Sequence, residues 1–299
     1  MKKNELSRKR NRIGWLFILP WLIGLLLFFV KPIISFLIYS FTDFHFVEGG
    51  YQLGVLENGL FSNYSDMFFK DSNFPVKLVS AFGELLYKTP IIVFFSLFVA
   101  TILNQPFKGR TLMRTIFFLP IIIMSGVVME IMQRNMTSIS TLESTEGALF
   151  SVAALTEILQ ETGLPTVLTD TLTTIVSEVG SLIWDSGIQI LIFLSALLSI
   201  PAAYFEAAQM EGASGWEIFW KITFPMVSPF ILANAVYTIV DSYANYGNEV
   251  MLYIQSYFTK DMNISYAAAM TWVYLLMVMI VLAMVFLICK RFLFYNTSR

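Results

Sequence analysis

The sequence predicts an all-α integral membrane protein of about six transmembrane helices, with a cytoplasmic helix-turn-helix loop between the fourth and fifth. Three observations carry this reading. The 299 residues are 57% hydrophobic and 16% aromatic but only 13% charged, where a soluble domain carries about a quarter charged residues. That apolar surplus exceeds what one core absorbs, because single cores stop growing near this chain length. The apolar residues also gather in runs of ~20, the length at which a helix crosses the hydrocarbon with its backbone groups satisfied.

The basic stretch 1–12, MKKNELSRKRNR, leads into the first apolar run at 13–40, uncharged over 13–30. The run is long for a signal peptide and no small-x-small cleavage site follows, so an uncleaved first helix is expected. Residues 41–77, rich in Phe, Tyr, Asn and Gly, read as a polar lid with aromatic interfacial anchors. The second run is 78–103, and the third is 112–131, uncharged only between Arg114 and Glu130. In the segment 135–174, the amphipathic stretch LFSVAALTEIL at 149–159, ended by Gly163 and Pro165, is expected to form short helices on the outer face. The remaining runs are 175–200, 226–246 and 267–289.

Orientation follows from the bias of lysine and arginine towards the cytoplasmic side. With the N-terminus inside, the cytoplasmic parts hold thirteen of the nineteen basic residues. Residues 135–181 carry no lysine or arginine but include Glu143, Glu146, Glu157, Glu161, Asp170 and Glu178, and are expected outside. Both termini then lie in the cytoplasm, and 13–299 is expected to be a single transmembrane domain in a bacterial cytoplasmic (inner) membrane.

Several function classes are disfavoured. The net charge of −2 comes without a basic stripe beyond the first dozen residues, so nothing suggests nucleic acid. The single Cys289 excludes an internal disulfide. The single His45 argues against a His-rich metal site or a Ser-His-Asp triad.

The segment 201–225 is built unlike a simple connector. Pro201 follows the fourth run, and Ala202 to Met210 are mostly good helix formers. Gly212 and Gly215 supply a turn. Trp216 to Trp220 reads as a second short helix with Trp216, Phe219 and Trp220 on one face. Pro225 and Pro229 are expected to open the fifth span, since proline is tolerated in a first turn. Such a unit suits docking against another protein or the membrane surface.

The spacing Glu206-Ala207-Ala208, Gly212, Ile222 and Pro225 resembles the EAA loop of permease subunits of binding-protein-dependent ABC importers. The longer stretch SIPAAYFEAAQMEGASGWEIFWKITFPMVSPF resembles their carbohydrate branch, the maltose, glycerol-phosphate and multiple-sugar type. LFILPWLIGLLLFFVKPIISFLIYSFTDF and KGRTLMRTIFFLP are similar to the first and third spans of those permeases. The resemblance implies that the loop fits a cleft in a cytoplasmic ATPase dimer, which binds ATP and magnesium, while this chain holds no cofactor. It implies that Glu206 meets a basic group of the ATPase, that Ala207 and Ala208 permit close packing, and that Gly212 makes the bend. Glu211, Ala213, Trp216 and Pro225 complete the expected coupling set. Glu211 stands where aspartate is usual, and 135–175 is longer than in many relatives. A second related permease, an external solute-binding protein and membrane lipid are the other implied partners.

Polar groups at membrane depth are costly and face a cavity or another helix. The fifth span offers Asn234, Tyr237, Thr238, Asp241 and Asn245, whose spacing keeps them within about 100° of helix surface over about 16 Å. Amides, hydroxyls and an aromatic face suit a polyhydroxylated solute; the same groups also serve helix-to-helix hydrogen bonding. Asp241 is alternatively a partner of Lys88. Asp185 and Gln189, four apart in the fourth span, are expected to line the same cavity. No GxxxxGK[ST] phosphate loop occurs in the chain, so energy for transport is expected from the ATPase. The expected role is therefore that of a transport subunit for a sugar or oligosaccharide rather than an enzyme. The alternatives are another solute in the same importer class (an amino acid, polyamine or phosphate ester) and an intramembrane enzyme.

Overall fold

The computed structural model describes residues 14–15, 17–47, 50–56, 59–124, 166–245 and 248–292, and helices dominate it. Among these residues, four helical stretches are long and apolar enough to cross a membrane: Phe17–Ser40, Asn73–Asn104, one beginning at Gly215, and Ile264–Lys290. A bent pair, Thr171–Asp185 with Gly187–Leu198, makes a fifth crossing if it is one span. The described residues divide into two units, Met1–Glu84 with Ser242–Val281, and Leu85–Asp241 with Leu282–Arg299.

In the first unit, α1 (Phe17–Ser40) has its most apolar stretch wholly unburied, as expected of a helix facing lipid. A π-turn at Leu26–Val30 precedes Pro32, and the Lys31 N–H reaches back to the Leu26 carbonyl. The wider turn makes room where a proline ring and its missing N–H disturb the regular ladder. The expected lid contains an antiparallel hairpin, β1 (Asp43–Val47) and β2 (Gly50–Gly54), with Phe44 opposite Leu53 and Phe46 opposite Tyr51. This is a departure from a purely helical chain. Its cause is the alternation in DFHFV and GYQLG, which puts Phe44 and Tyr51 on one face with rings 5.1 Å apart.

Next comes α2 (Ser62–Phe69), pinned to the end of α1 by Asn63 Nδ2 donating to the Ser40 carbonyl at 3.1 Å. Then α3 (Asn73–Asn104) opens with Asp71 accepting the Asn73 and Phe74 N–H groups, a side-chain cap for otherwise orphaned donors.

The second unit has a core of α3, the helix at Gly187–Leu198 and the fifth-span helix. Leu97, Ala100 and Leu103 pack with Ile190, Phe193 and Leu197 and with Val227. α4 (Arg110–Met124) covers the start of the expected third span; the rest of 112–131 lies outside the described residues. Arg114 donates from Nη2 to the Leu103 carbonyl, satisfying an end group of α3. Of the expected external segment 135–174, only residues from Thr166 onward are described. They open α5 (Thr166–Asp185), and the short helices expected at 149–159 lie outside.

The expected fourth span is bent: α5 ends at Asp185 and α6 (Gly187–Leu198) departs from it at 54°. Ser186 at the break bonds back to the Ile183 carbonyl, and the following residue is a buried glycine.

Candidate functional site: the loop 202–224 and the polar cluster of the fifth span

α7 (Ala202–Met210) starts after Pro201, whose extended backbone sets off the helix, and none of its residues is buried. Phe205 alone on this helix packs partly against the second unit's core. The helix closes at Gly212, where φ is +81°, in the left-handed region that glycine occupies most easily. Gly212 N–H donates to the Gln209 carbonyl and Ala213 N–H to the Ala208 carbonyl, both at 3.0 Å. The second, six-to-one bond is that of a Schellman closure. This gives Ala208, Gly212 and Ala213 a definite local role, while Glu206, Ala207 and Glu211 project as exposed residues.

The second half differs from expectation. α8 (Gly215–Ile218) does not stop at Trp220. It passes through a π-turn, Phe219–Thr223, directly into α9 (Phe224–Ala244). Pro225 and Pro229 therefore lie inside a continuous helical path rather than opening it. The Phe224 N–H bonds to the Phe219 carbonyl five residues back, immediately before Pro225. Ser228 Oγ donates at 2.8 Å to the Pro225 carbonyl, the acceptor that Pro229 has no N–H to fill. The arm entering the membrane is thus one rod from Gly215 onward.

Its N-terminus carries a capping box that the sequence reading missed, although Ser214-x-x-Glu217 spells it out. The Ser214 hydroxyl accepts from the Glu217 N–H, and Glu217 Oε2 accepts from the Ser214 N–H at 3.0 Å. Lys221 Nζ donates to Glu217 Oε1 at 3.0 Å. The Ser214 backbone N–H, then Lys221, hold the Glu217 carboxyl down at about 2. Trp216 and Trp220 meet edge to face at 5.6 Å, and Trp216 remains 72% exposed. Met210, on the other side of the turn, is 89% exposed.

In the fifth span, Asn234 and Thr238 are buried and meet Gln189 of α6. Gln189 Nε2 donates to Thr238 Oγ1 at 3.1 Å, and Thr238 Oγ1 donates to the Asn234 carbonyl at 2.9 Å. The Asn234 amide, both atoms, and Gln189 Oε1 find no protein partner. Buried amides of this kind are rare because each unmet group costs stability. Tyr237 and Asp241, both half-buried, hydrogen-bond to each other.

Two further expected members lie at helix ends. Asp185 ends α5, separated from Gln189 by the helix break, and lies 3.9 Å from Lys88. Asn245 lies just past the end of α9 and belongs to the turn leading to Asn248. Among the described residues no group of three or more His, Cys, Asp or Glu is placed to hold a metal.

No family model matches the chain. It is similar to the probable ABC transporter permease protein YesP of Bacillus subtilis (strain 168), 31% identical over all of this chain and 97% of that protein. It is also similar to the multiple sugar-binding transport system permease protein MsmF of Streptococcus mutans, 26% identical over 73% of this chain and 70% of MsmF. The lactose transport system permease protein LacF of Rhizobium radiobacter is 26% identical over 92% of this chain and 93% of LacF. Among solved structures, the crystal structure of a bacterial alginate ABC transporter in complex with an alginate pentasaccharide-bound periplasmic protein matches with a TM-score of 0.61. There the identity is 18%, over 96% of each chain, so the likeness is one of fold.

Proposed function

Since the chain belongs to the permeases of ABC transporters, we propose that it is the membrane subunit of an importer for a sugar or oligosaccharide, coupled to a separate ATPase through residues 202–224. The single observation that carries the coupling is the exposed α7 helix, closed at Gly212 and joined by a capped turn to a rod that continues into the membrane. A force applied at α7 has a stiff path into α9, and α9 carries the buried Asn234 amide. Glu206, Ala207 and Glu211 form the docking face, and Trp216 lies beside the turn. The ATPase dimer binds ATP and magnesium, and this chain adds no cofactor.

The carbohydrate assignment rests on relatives named for multiple sugars and for lactose and on the chemistry of Asn234, Gln189, Thr238, Tyr237 and Asp241. Tyr237 and Asp241, half-buried, offer a ring, a hydroxyl and a carboxylate to a ligand rich in hydroxyls, while Asn234, Gln189 and Thr238 are buried and meet it only if the helices part. A second permease, an external binding protein and alternating access between outward and inward states complete the scheme, with both termini in the cytoplasm. Two segments that the expected six-span topology puts outside, the lid 41–77 and the connection between the fifth and sixth spans, meet in one unit: Asp71 bonds Tyr253 and Tyr266, and Phe44 N–H bonds Ser265. That supports their lying on one side of the bilayer.

The test is to purify the permease from its native membrane and follow the ATPase and second permease that accompany it. Glu206→Lys and Gly212→Asp are expected to release the ATPase while the second permease stays bound. Retained ATPase and undiminished sugar uptake in both variants would overturn the docking assignment.

A further inference from the structure

The first unit contains an open concavity of about 490 Å³ that plays no part in the scheme above. It is formed by α2, the turn before α3, α10 (Glu249–Thr259) and the start of α11 (Ile264–Phe292). Its walls are polar apart from aromatic rings. Tyr253, Tyr257 and Tyr266 run as a chain of rings with centroids 5.4 and 5.0 Å apart. Asn73 and Asn263 also line it, with Asn263 Oδ1 accepting the Tyr266 N–H at 3.1 Å.

The wall is pre-ordered. Tyr253 Oη donates to both oxygens of Asp71, at 3.0 and 2.8 Å, and Tyr266 Oη donates to Asp71 Oδ2 at 3.4 Å. Asp71 is itself anchored on the Asn73 and Phe74 N–H groups. A ligand meeting these rings does not have to order them, which removes one of the costs of binding.

Asp66 is paired with Lys70 at 2.8 Å, and Asp71 accepts from neutral donors only, so the lining keeps one net negative charge. What faces the opening is phenol, amide and ring, groups that both give and accept hydrogen bonds. This composition disfavours an anion and suits a neutral molecule dense in hydroxyls with C–H faces for the rings. The volume falls within the ~300–1,000 Å³ of small-molecule sites and has room for a short saccharide.

We propose that this concavity is a saccharide-contact site at the outer mouth of the permease, distinct from the amide cluster of α9. Its placement outside rests on the orientation given under Proposed function. The saccharide reaches it either free or as the protruding end of a chain still held by a binding protein.

The experiment uses the complete transporter in nanodiscs, with lactose and maltotriose as probes followed by saturation-transfer NMR, first without and then with a binding protein. Transfer is expected in wild type, with at least a 5-fold loss in Tyr257→Ala and Asn263→Ala and with most of the signal kept in Tyr257→Phe, which retains the ring. Transfer without binding protein marks the free sugar as the source; transfer only in its presence marks the delivered one. Asn234→Ala serves as the inner-site control and is expected to leave the outer signal intact. ATPase association of each variant, measured on the same sample, reports intact assembly. Absence of transfer in wild type in both arms, or equal transfer in Tyr257→Ala and Asn263→Ala, overturns the proposal. Parallel uptake of the same probes separates the two readings: uptake with no outer signal removes this site alone, whereas an outer signal without uptake removes the transport assignment and leaves the site.

Discussion

Gln189 and Thr238, from two different helices, share a buried hydrogen bond of 3.1 Å beside an Asn234 amide that no protein group satisfies. Thr238→Val removes the acceptor and leaves Gln189 Nε2 unpaired. It should destabilise the protein by about 1 kcal/mol, at the scale of intramembrane hydrogen bonds. Asn234→Leu should do the opposite, since it removes two unsatisfied atoms; thermal unfolding in detergent should show an unchanged or raised midpoint. If Asn234 meets the solute, uptake falls in that same variant. A more stable but slower transporter is the expected pairing.

Gly212 has φ of +81°, and a Cβ placed there would meet nothing within 4 Å. The cost of substitution is therefore conformational. Gly212→Ala should cost about 1–2 kcal/mol of local stability, the left-handed penalty of an L-residue. Gly212→Asn should cost less, because asparagine tolerates that region. Sugar-dependent ATPase activity should follow the order Gly, Asn, Ala.

Glu217 titrates at about 2, lowered chiefly by the Ser214 backbone N–H and then by Lys221, from an ordinary value of 4.5. A depressed carboxylate stabilises the fold above its unfolded pKa, and that contribution is lost as pH falls from about 4.5 towards about 2. Tryptophan fluorescence from Trp216 and Trp220 should shift over that window, and Glu217→Gln should abolish the step. Because the carboxylate is exposed, the effect is expected at the turn and not in global unfolding.

Asn248 makes four contacts at one junction. Its Oδ1 caps the Val250 and Met251 N–H groups, and its Nδ2 donates to the Ser242 carbonyl and to Tyr274 Oη, the latter at 2.6 Å. Asn248→Ala should cost about 1–3 kcal/mol, the sum of a lost cap and stranded acceptors. Asn248→Asp keeps the capping oxygen and should recover part of it. Thermal unfolding of the purified complex measures both.

What the sequence made legible was what depends on short spacings. The apolar runs that became α1, α3, α9 and α11, the Gly212 bend and the one-face order of Asn234, Tyr237, Thr238 and Asp241 all follow from local periodicity. The capping box at Ser214 and the alternation behind the β1–β2 hairpin were equally local and were passed over in favour of a helix-and-loop reading. The bend at Ser186 was hidden because an apolar run has the same composition whether straight or broken. The contacts of Asp71 with Tyr253 and Tyr266 join residues 182 and 195 positions apart, a distance at which no spacing rule operates. Asp185 was placed beside Gln189 by counting along a helix that ends between them.

Docking of α7 on an ATPase can be read from a cross-link. Cys289 is the only cysteine, so Ala207→Cys in a Cys289→Ser background carries a single reactive thiol on the exposed helix. The assembled transporter is treated with a short thiol-to-amine cross-linker with and without ATP. The account predicts one adduct, to the ATPase subunit, whose yield changes with ATP. An accessible thiol that forms no ATPase adduct, or one labelled by a membrane-impermeant reagent from outside intact cells, contradicts it.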